Sequence, residues 1–282
     1  MSSIAVVAHH ERPAARALAE EAAAWCSDHG VVFWMPVGDA EALDLGECES
    51  IRPIAEADLV LSLGGDGTML RSVRMLEGAP VPVLGVNLGS LGYLTQVEPD
   101  RLADALDRFV AGPEAGAWTL DRRMMLDVAV NGELIGRALN EAVVEKAESG
   151  HTVRLLARID GEPFTYYTAD GLIVATPTGS TAYSLSARGP VVSPRHRAML
   201  LTPVSPHMLF DRTLVLDPTE TIEIEVSGHR VAELVLDGRP VAPLDDGDVV
   251  RCTPSESTAN FVRLGAEYYH QILKAKFGLA DR

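Results

Sequence analysis

The chain has 282 residues, a 47% hydrophobic fraction and a formal net charge of −16. Its length allows one large or two ordinary domains with real cores, its apolar runs are too short to span a bilayer, and its acidity leaves no basic footprint for nucleic acid. Cys26, Cys48 and Cys252 are few, odd in number and scattered, which suits a reducing cytoplasm without a disulfide framework.

Residues 1–8 carry no basic n-region or cleavage pattern and read as a first strand over 4–8. A helix is expected over 13–28 and a strand over 31–34. A weakly structured connection through Cys48 and Ser50 leads to a strand from Leu59, then a helix over 68–76 and a strand over 81–86. A second glycine-punctuated loop covers 87–93, and a helix covers 99–110. Repeated βα units mean a parallel sheet flanked by helices, with ligands at the carboxyl ends of the strands.

After the linker at 111–116 the texture changes to short strands, at 118–130, 133–138, 142–145, 153–159 and 164–168, with a further strand running from Asp170 until Pro177 and Gly179 stop it. Others follow at 213–216, 221–226, 231–236 and 248–252. Asn131-Gly132, Asp160-Gly161, Asp237-Gly238 and Asp246-Gly247 are hairpin turns between such runs. The second part is therefore a β-sandwich, and a final amphipathic helix is expected over 268–279.

Three motifs carry chemistry. The first is Gly64-Gly65-Asp66-Gly67-Thr68, a strand turning sharply into a helix. Glycines there let a phosphate approach bare backbone N–H groups, and the helix start adds a positive dipole end. Asp66 repels phosphate, so its carboxylate awaits a hydroxyl or a metal ion. The second is Asn140-Glu141, an acidic amide pair beside a strand. The third, Thr176-Pro177-Thr178-Gly179-Ser180-Thr181-Ala182-Tyr183-Ser184-Leu185-Ser186, crowds hydroxyls at a strand end. Neutral donors of that kind suit a ribose, and Tyr183 offers a flat face for a base. No His/Cys spacing suggests a zinc site, and no protein metal ligand is assigned.

In this order the three motifs resemble the NAD kinase family, over residues 4–276. The resemblance implies an α/β plus all-β fold, a Rossmann-like nucleotide-binding domain with a parallel sheet joined to a β-sandwich. The boundaries expected are 1–117 for the first domain, 118–264 for the sandwich with most NAD contacts, and 265–282 returning to the first domain, with the site in the crevice between them. The implied reaction moves a phosphoryl group from ATP or another phosphoryl donor, with Mg²⁺ or another divalent cation accompanying ATP, to the 2′-hydroxyl of the adenosine ribose of NAD, giving NADP. Asp66 takes the proton-acceptor role, and Gly64, Gly65, Gly67 and Thr68 supply the phosphate turn. Asn140 and Glu141 hold the adenosine part, and Asp170 reaches the nicotinamide carboxamide. Thr181, Ala182, Tyr183 and Ser186 touch NAD; Ser184 belongs to the same block, though it and Ser180 read equally as helix caps. His151 and Arg239 fall where family members often touch ligand. The resemblance further implies a homodimer or homotetramer. The Gly-Gly-Asp-Gly turn alone also fits a diacylglycerol- or sphingosine-type lipid kinase, and the pocket alone a non-catalytic dinucleotide sensor.

Two departures stand out. Ala187-Arg188-Gly189-Pro190 replaces the usual Ala-Gly-Gly-Pro, placing a guanidinium near the cradle. Thr213 replaces a frequent proline after Arg212.

Overall fold

Ser3–Ala8 form strand β1, buried at every residue, as an interior strand of a parallel sheet must be. This is a computed structural model, and it describes residues 3–90, 92–148, 150–265 and 269–279. Helix α1 (Pro13–Asp28) opens on a proline whose fixed φ suits the first turn, and buries Ala15, Leu18, Ala19, Ala22, Trp25 and Cys26 along one face. Strand β2 (Val32–Pro36) runs into a short helix α2 (Val37–Ala42) and the two-residue strand β3 (Glu49–Ser50). Strand β4 (Leu59–Gly64), helix α3 (Asp66–Met75), strand β5 (Pro82–Asn87) and helix α4 (Leu102–Ala111) complete the βα series.

All the pairings here are parallel, in the order β3-β2-β1-β4-β5. Strand order reverses between β1 and β4, because the chain moves outward from β1 to one side and returns to its other side. That reversal opens a crevice at the carboxyl ends of β1 and β4.

The chain divides into two compact units, residues 1–122 with 259–282, and residues 123–258. Strand β6 (Thr119–Val130) leads into the second, where it pairs with β7 (Glu133–Ala138). Next come β8 (Glu141–Lys146), β9 (Val153–Ile159), β10 (Glu162–Ala169), β11 (Gly171–Ala175) and the four-residue helix α5 (Tyr183–Ser186). The remaining strands are β12 (Met199–Val204), β13 (Leu214–Leu216), β14 (Ile222–Val226), β15 (Ala232–Leu236), β16 (Arg239–Leu244) and β17 (Val249–Arg263). One antiparallel sheet runs β13-β12-β11-β8-β15-β16, and a second carries β10-β9-β14 with the start of β17. Side chains from both, among them Leu155, Tyr167, Leu172, Leu201, Ile224, Leu234 and Cys252, fill one apolar core. The unit is a sandwich.

Three of the expected hairpins form with positive φ at both turn residues: Asn131-Gly132, Asp160-Gly161 and Asp237-Gly238. That geometry matches the twist of the flanking strands.

Several elements differ from expectation, each for a physical reason. Strand β12 was not anticipated: it is buried almost throughout, so its residues show no alternation, and it contains Pro203. Strand β16 carries Pro240 and Pro243, which is tolerated because it lies at a sheet edge. Strand β17 continues through Pro254 to Arg263 instead of ending at Cys252, and its last part pairs in parallel with β5 through Asn260 and Phe261. Helix α3 starts two residues earlier than predicted, at Asp66. The final helix α6 spans Tyr269–Lys276; Tyr268, expected as its first residue, lies outside the described residues. No helix among the described residues is long and apolar enough to cross a membrane.

Candidate functional site

In the first unit the site is built on the junction of β4 and α3. A Cβ at Gly64 would overlap the Thr68 side chain, so glycine lets the helix fold back against the strand end. Gly65 caps the helix and Asp66 is its first residue. The Asp66 carboxylate accepts hydrogen bonds from the backbone N–H of Tyr93, at 2.8 Å, and of Leu94, at 2.9 Å. A Cβ on Gly92 would overlap Asp66 Oδ1. The second glycine loop is thus wrapped closely around this carboxylate, an arrangement the sequence did not reveal.

A cavity of about 610 Å³ lies at these strand ends, lined by residues 8–12 after β1, Gly65, Asp66, Gly67 and Thr68, and Leu88, Gly89, Ser90 and Gly92. It stands at the topological switch between β1 and β4. Arg71 lines it too, but that guanidinium is already committed. It reaches Asp39 at 2.6 and 2.9 Å and the Ala8 carbonyl at 2.6 Å. Asp39 is almost wholly buried and also accepts from the Ala8 N–H and meets His10 Nε2 at 2.9 Å. This cluster ties α3 to the end of β1. Sequence reasoning missed Asp39 and Arg71, since 32 residues separate them.

In the second unit, Asn140 and Glu141 sit at the start of β8 against the end of β11, where Ala175 faces Glu141. The Thr176 N–H donates to the Asn140 carbonyl at 2.9 Å, and its hydroxyl to the Leu139 carbonyl at 2.6 Å. Gly179 lies so close to Asn140 that a Cβ would overlap its backbone carbonyl. The acidic pair and the hydroxyl block are therefore one construction. Asp237, read in the sequence only as a turn residue, holds it: its carboxylate accepts from the N–H groups of Leu139, Asn140 and Glu141 at 2.7–3.1 Å.

Glu141 is 5% exposed, and its Oε2 has no hydrogen-bond partner. Burial, then the nearby Asp237 charge, pushes its pKa up to about 8, against a smaller opposing effect of the Tyr183 backbone N–H. A buried carboxyl with a free oxygen is costly unless something completes it. Tyr183 is partly exposed, and burial followed by the Glu145 and Asp170 charges raises its phenol pKa, so the ring stays neutral.

The other expected residues separate into groups. Asp170 precedes β11 at the end opposite Ala175, and pairs with Lys146 at 2.6 Å. Thr181 donates to the Thr178 carbonyl, and Ser186 is exposed beside Ala182 and Tyr183. Ser184 is fully buried with its hydroxyl 3.1 Å from Thr202, and Ser180 bonds to Pro177 and Val192, so both hydroxyls are used inside the fold. His151 lines a separate cavity of about 300 Å³ with Lys146, His229 and Arg230. Arg239 is exposed at the start of the edge strand β16. Arg123, which the sequence reading passed over, is buried with Nη1 3.3 Å from the Thr178 hydroxyl. Arg188 is exposed, with φ +68° and no ion pair among the described residues.

A parallel-sheet unit with a glycine-rich strand–helix turn and a sandwich with a hydroxyl-rich loop packed on a buried acidic pair suit a nucleotide phosphotransferase. Family models match both parts: the ATP-NAD kinase N-terminal domain over residues 4–114 and the ATP-NAD kinase C-terminal domain over 139–264. The chain belongs to the ATP-NAD kinase family. It is 38% identical over 282 residues to an NAD kinase of Heliobacterium modesticaldum, covering 98% of each chain. It also resembles yeast NADH kinase complexed with NADH, with a TM-score of 0.91 and 25% identity over 100% of this chain and 89% of that one. An NAD kinase of Archaeoglobus fulgidus in complex with ATP gives a TM-score of 0.76 and 26% identity, covering 99% and 100%.

Proposed function

We propose that the chain transfers the γ-phosphoryl group of ATP to the 2′-hydroxyl of the adenosine ribose of NAD. The hydroxyl oxygen attacks the γ-phosphorus, the bond to the β-phosphate oxygen breaks, ADP leaves, and the hydroxyl proton passes to Asp66. Such transfer needs positioning and charge neutralisation more than covalent chemistry. The Tyr93 and Leu94 amides fix the Asp66 carboxylate, Gly65 and Gly67 let phosphate approach the backbone, and Thr68, whose own N–H donates to the Gly65 carbonyl, stands in the first turn of the helix behind them. Asn140 and Glu141 receive the adenosine part, with Thr181, Ala182, Tyr183 and Ser186 around it. Asp170 accepts from the nicotinamide carboxamide. His151 and Arg239 are assigned to the periphery of NAD, and Ser184 shapes the cradle through Thr202.

The observation that carries this reading is the buried Glu141 carboxyl with its unpartnered oxygen, beside the hydroxyl loop. Asp66 and Glu11 are the carboxylates lining the cavity, and they would meet a divalent cation brought in on the donor's phosphates. When bound it neutralises phosphate charge. Residues 1–117 serve the donor, 118–264 serve most of NAD, and 265–282 return to the first domain. The protein acts in the cytoplasm as a homodimer or homotetramer. The test is direct: incubate it with NAD, ATP and Mg²⁺ and measure NADP with an NADP-specific dehydrogenase. NADP formation is expected, and its absence at any ATP concentration overturns the reading.

A further inference from the structure

Two features of the phosphate-turn cavity are not absorbed by the mechanism above. The protein carries a net charge of −16, so its overall field does not draw in a triphosphate. Local cations must do so. Yet the most prominent one near the turn, Arg71, is neutralised by Asp39. The lining holds two further cations, Arg12 after β1 and Lys276, the last residue of α6, and it is Lys276 that an aromatic ring orients.

Lys276 has no carboxylate partner among the described residues. Its ammonium lies 4.5 Å from the centre of the Tyr93 ring, which in turn lies 6.2 Å from the Tyr269 ring at the start of the same helix. An aromatic face orients an ammonium without cancelling its charge, whereas a carboxylate would cancel it. Burial, then Tyr269 and Asp66, raises the Tyr93 phenol pKa, so the ring remains a neutral platform. Tyr93 thus works at both ends: its N–H fixes Asp66, and its ring fixes Lys276.

We infer that Lys276 binds the phosphates of the triphosphate donor in this cavity, and that Tyr93 is the residue that positions it. The inference rests on the kinase reading and adds a substrate contact from the far end of the chain. Lys276 is exposed on a terminal helix, so its replacement leaves the core untouched.

The test is calorimetric titration of the full chain with Mg–ATP and, separately, with NAD. Lys276→Met should weaken ATP binding about tenfold, equivalent to about 1.4 kcal/mol, and leave NAD affinity within about twofold. Lys276→Arg should restore most of the ATP affinity, and Tyr93→Leu should reproduce part of its loss. Unchanged ATP affinity in Lys276→Met overturns the inference. So does an equal loss of NAD affinity, which would make the helix a general support. If the parent binds ATP but forms no NADP, the kinase reading fails while the role of Lys276 is still decided by the ATP isotherms.

Discussion

Asp237 and Glu141 are bound twice: the Asp237 N–H donates to the Glu141 carbonyl at 3.0 Å, and the Glu141 N–H donates to the Asp237 side chain at Oδ1, 3.1 Å away. Burial first, and then the same carboxylate that fixes the backbone of the pair, raise the proton affinity of the Glu141 side chain. Glu141 consequently holds its proton up to about pH 8 in the folded protein, against about 4.5 for an ordinary glutamate.

Stability should depend on pH through this group. Between about pH 4.5 and 8 the unfolded chain has lost the Glu141 proton while the folded chain keeps it. Rising pH therefore favours unfolding across that window, and the stabilising contribution is whole only below it. Glu141→Gln removes the dependence. Its melting temperature should gain on the parent from pH 5 to pH 8, by at least the 2–4 °C that about 1 kcal/mol produces in a chain near this size. A constant difference across that range would refute the raised pKa.

NAD binding should expel the Glu141 proton. Ribose hydroxyls donate to the ionised carboxylate and so favour it. Calorimetry at pH 7 in two buffers of different ionisation enthalpy should record proton release for the parent and none for Glu141→Gln. NAD affinity should rise between pH 7 and 8.

Gly179→Ala tests the union of the acidic pair with the hydroxyl loop. The new Cβ meets the Asn140 backbone, not the end of a flexible side chain, so the loop must move. NAD affinity should fall at least tenfold, about 1.4 kcal/mol, with ATP affinity retained. An unaffected NAD isotherm would contradict the shared construction.

Arg188→Gly should stabilise the protein. Its φ of +68° is in the left-handed region, which costs an L-residue about 1–2 kcal/mol. The added freedom of glycine in the unfolded chain offsets about 0.5–1 kcal/mol of that. The net gain of about 0.5–1 kcal/mol should appear as a higher melting temperature. A rise in the Michaelis constant for ATP, with no change in melting, would instead make Arg188 a phosphate contact.

Much of this was legible in the sequence because local chemistry dictated it. Glycine turns after apolar runs announced the βα junction, and Asn-Gly and Asp-Gly pairs announced the hairpins. What stayed hidden depends on distance along the chain. Asp237 lies 97 residues from Asn140, and Asp39 lies 32 from Arg71. Strand β12 was missed because burial on both faces removes alternation, and β16 because its prolines imitate a break. Asp66 was recognised from its turn, but its anchoring by the Tyr93–Leu94 backbone is tertiary.

That anchoring sharpens the measurement closest to the centre of the account, the single-turnover rate of NADP formation by Asp66→Asn at saturating NAD and ATP. The amide keeps the size of the side chain but turns an NH₂ toward one of the two backbone donors, so a stability loss of about 1 kcal/mol is expected. The rate should fall by about 10²–10⁴ with NAD affinity nearly unchanged, as for loss of a proton acceptor. A rate within about threefold of the parent would contradict the assignment of Asp66 and leave its carboxylate as an anchor for the glycine loop.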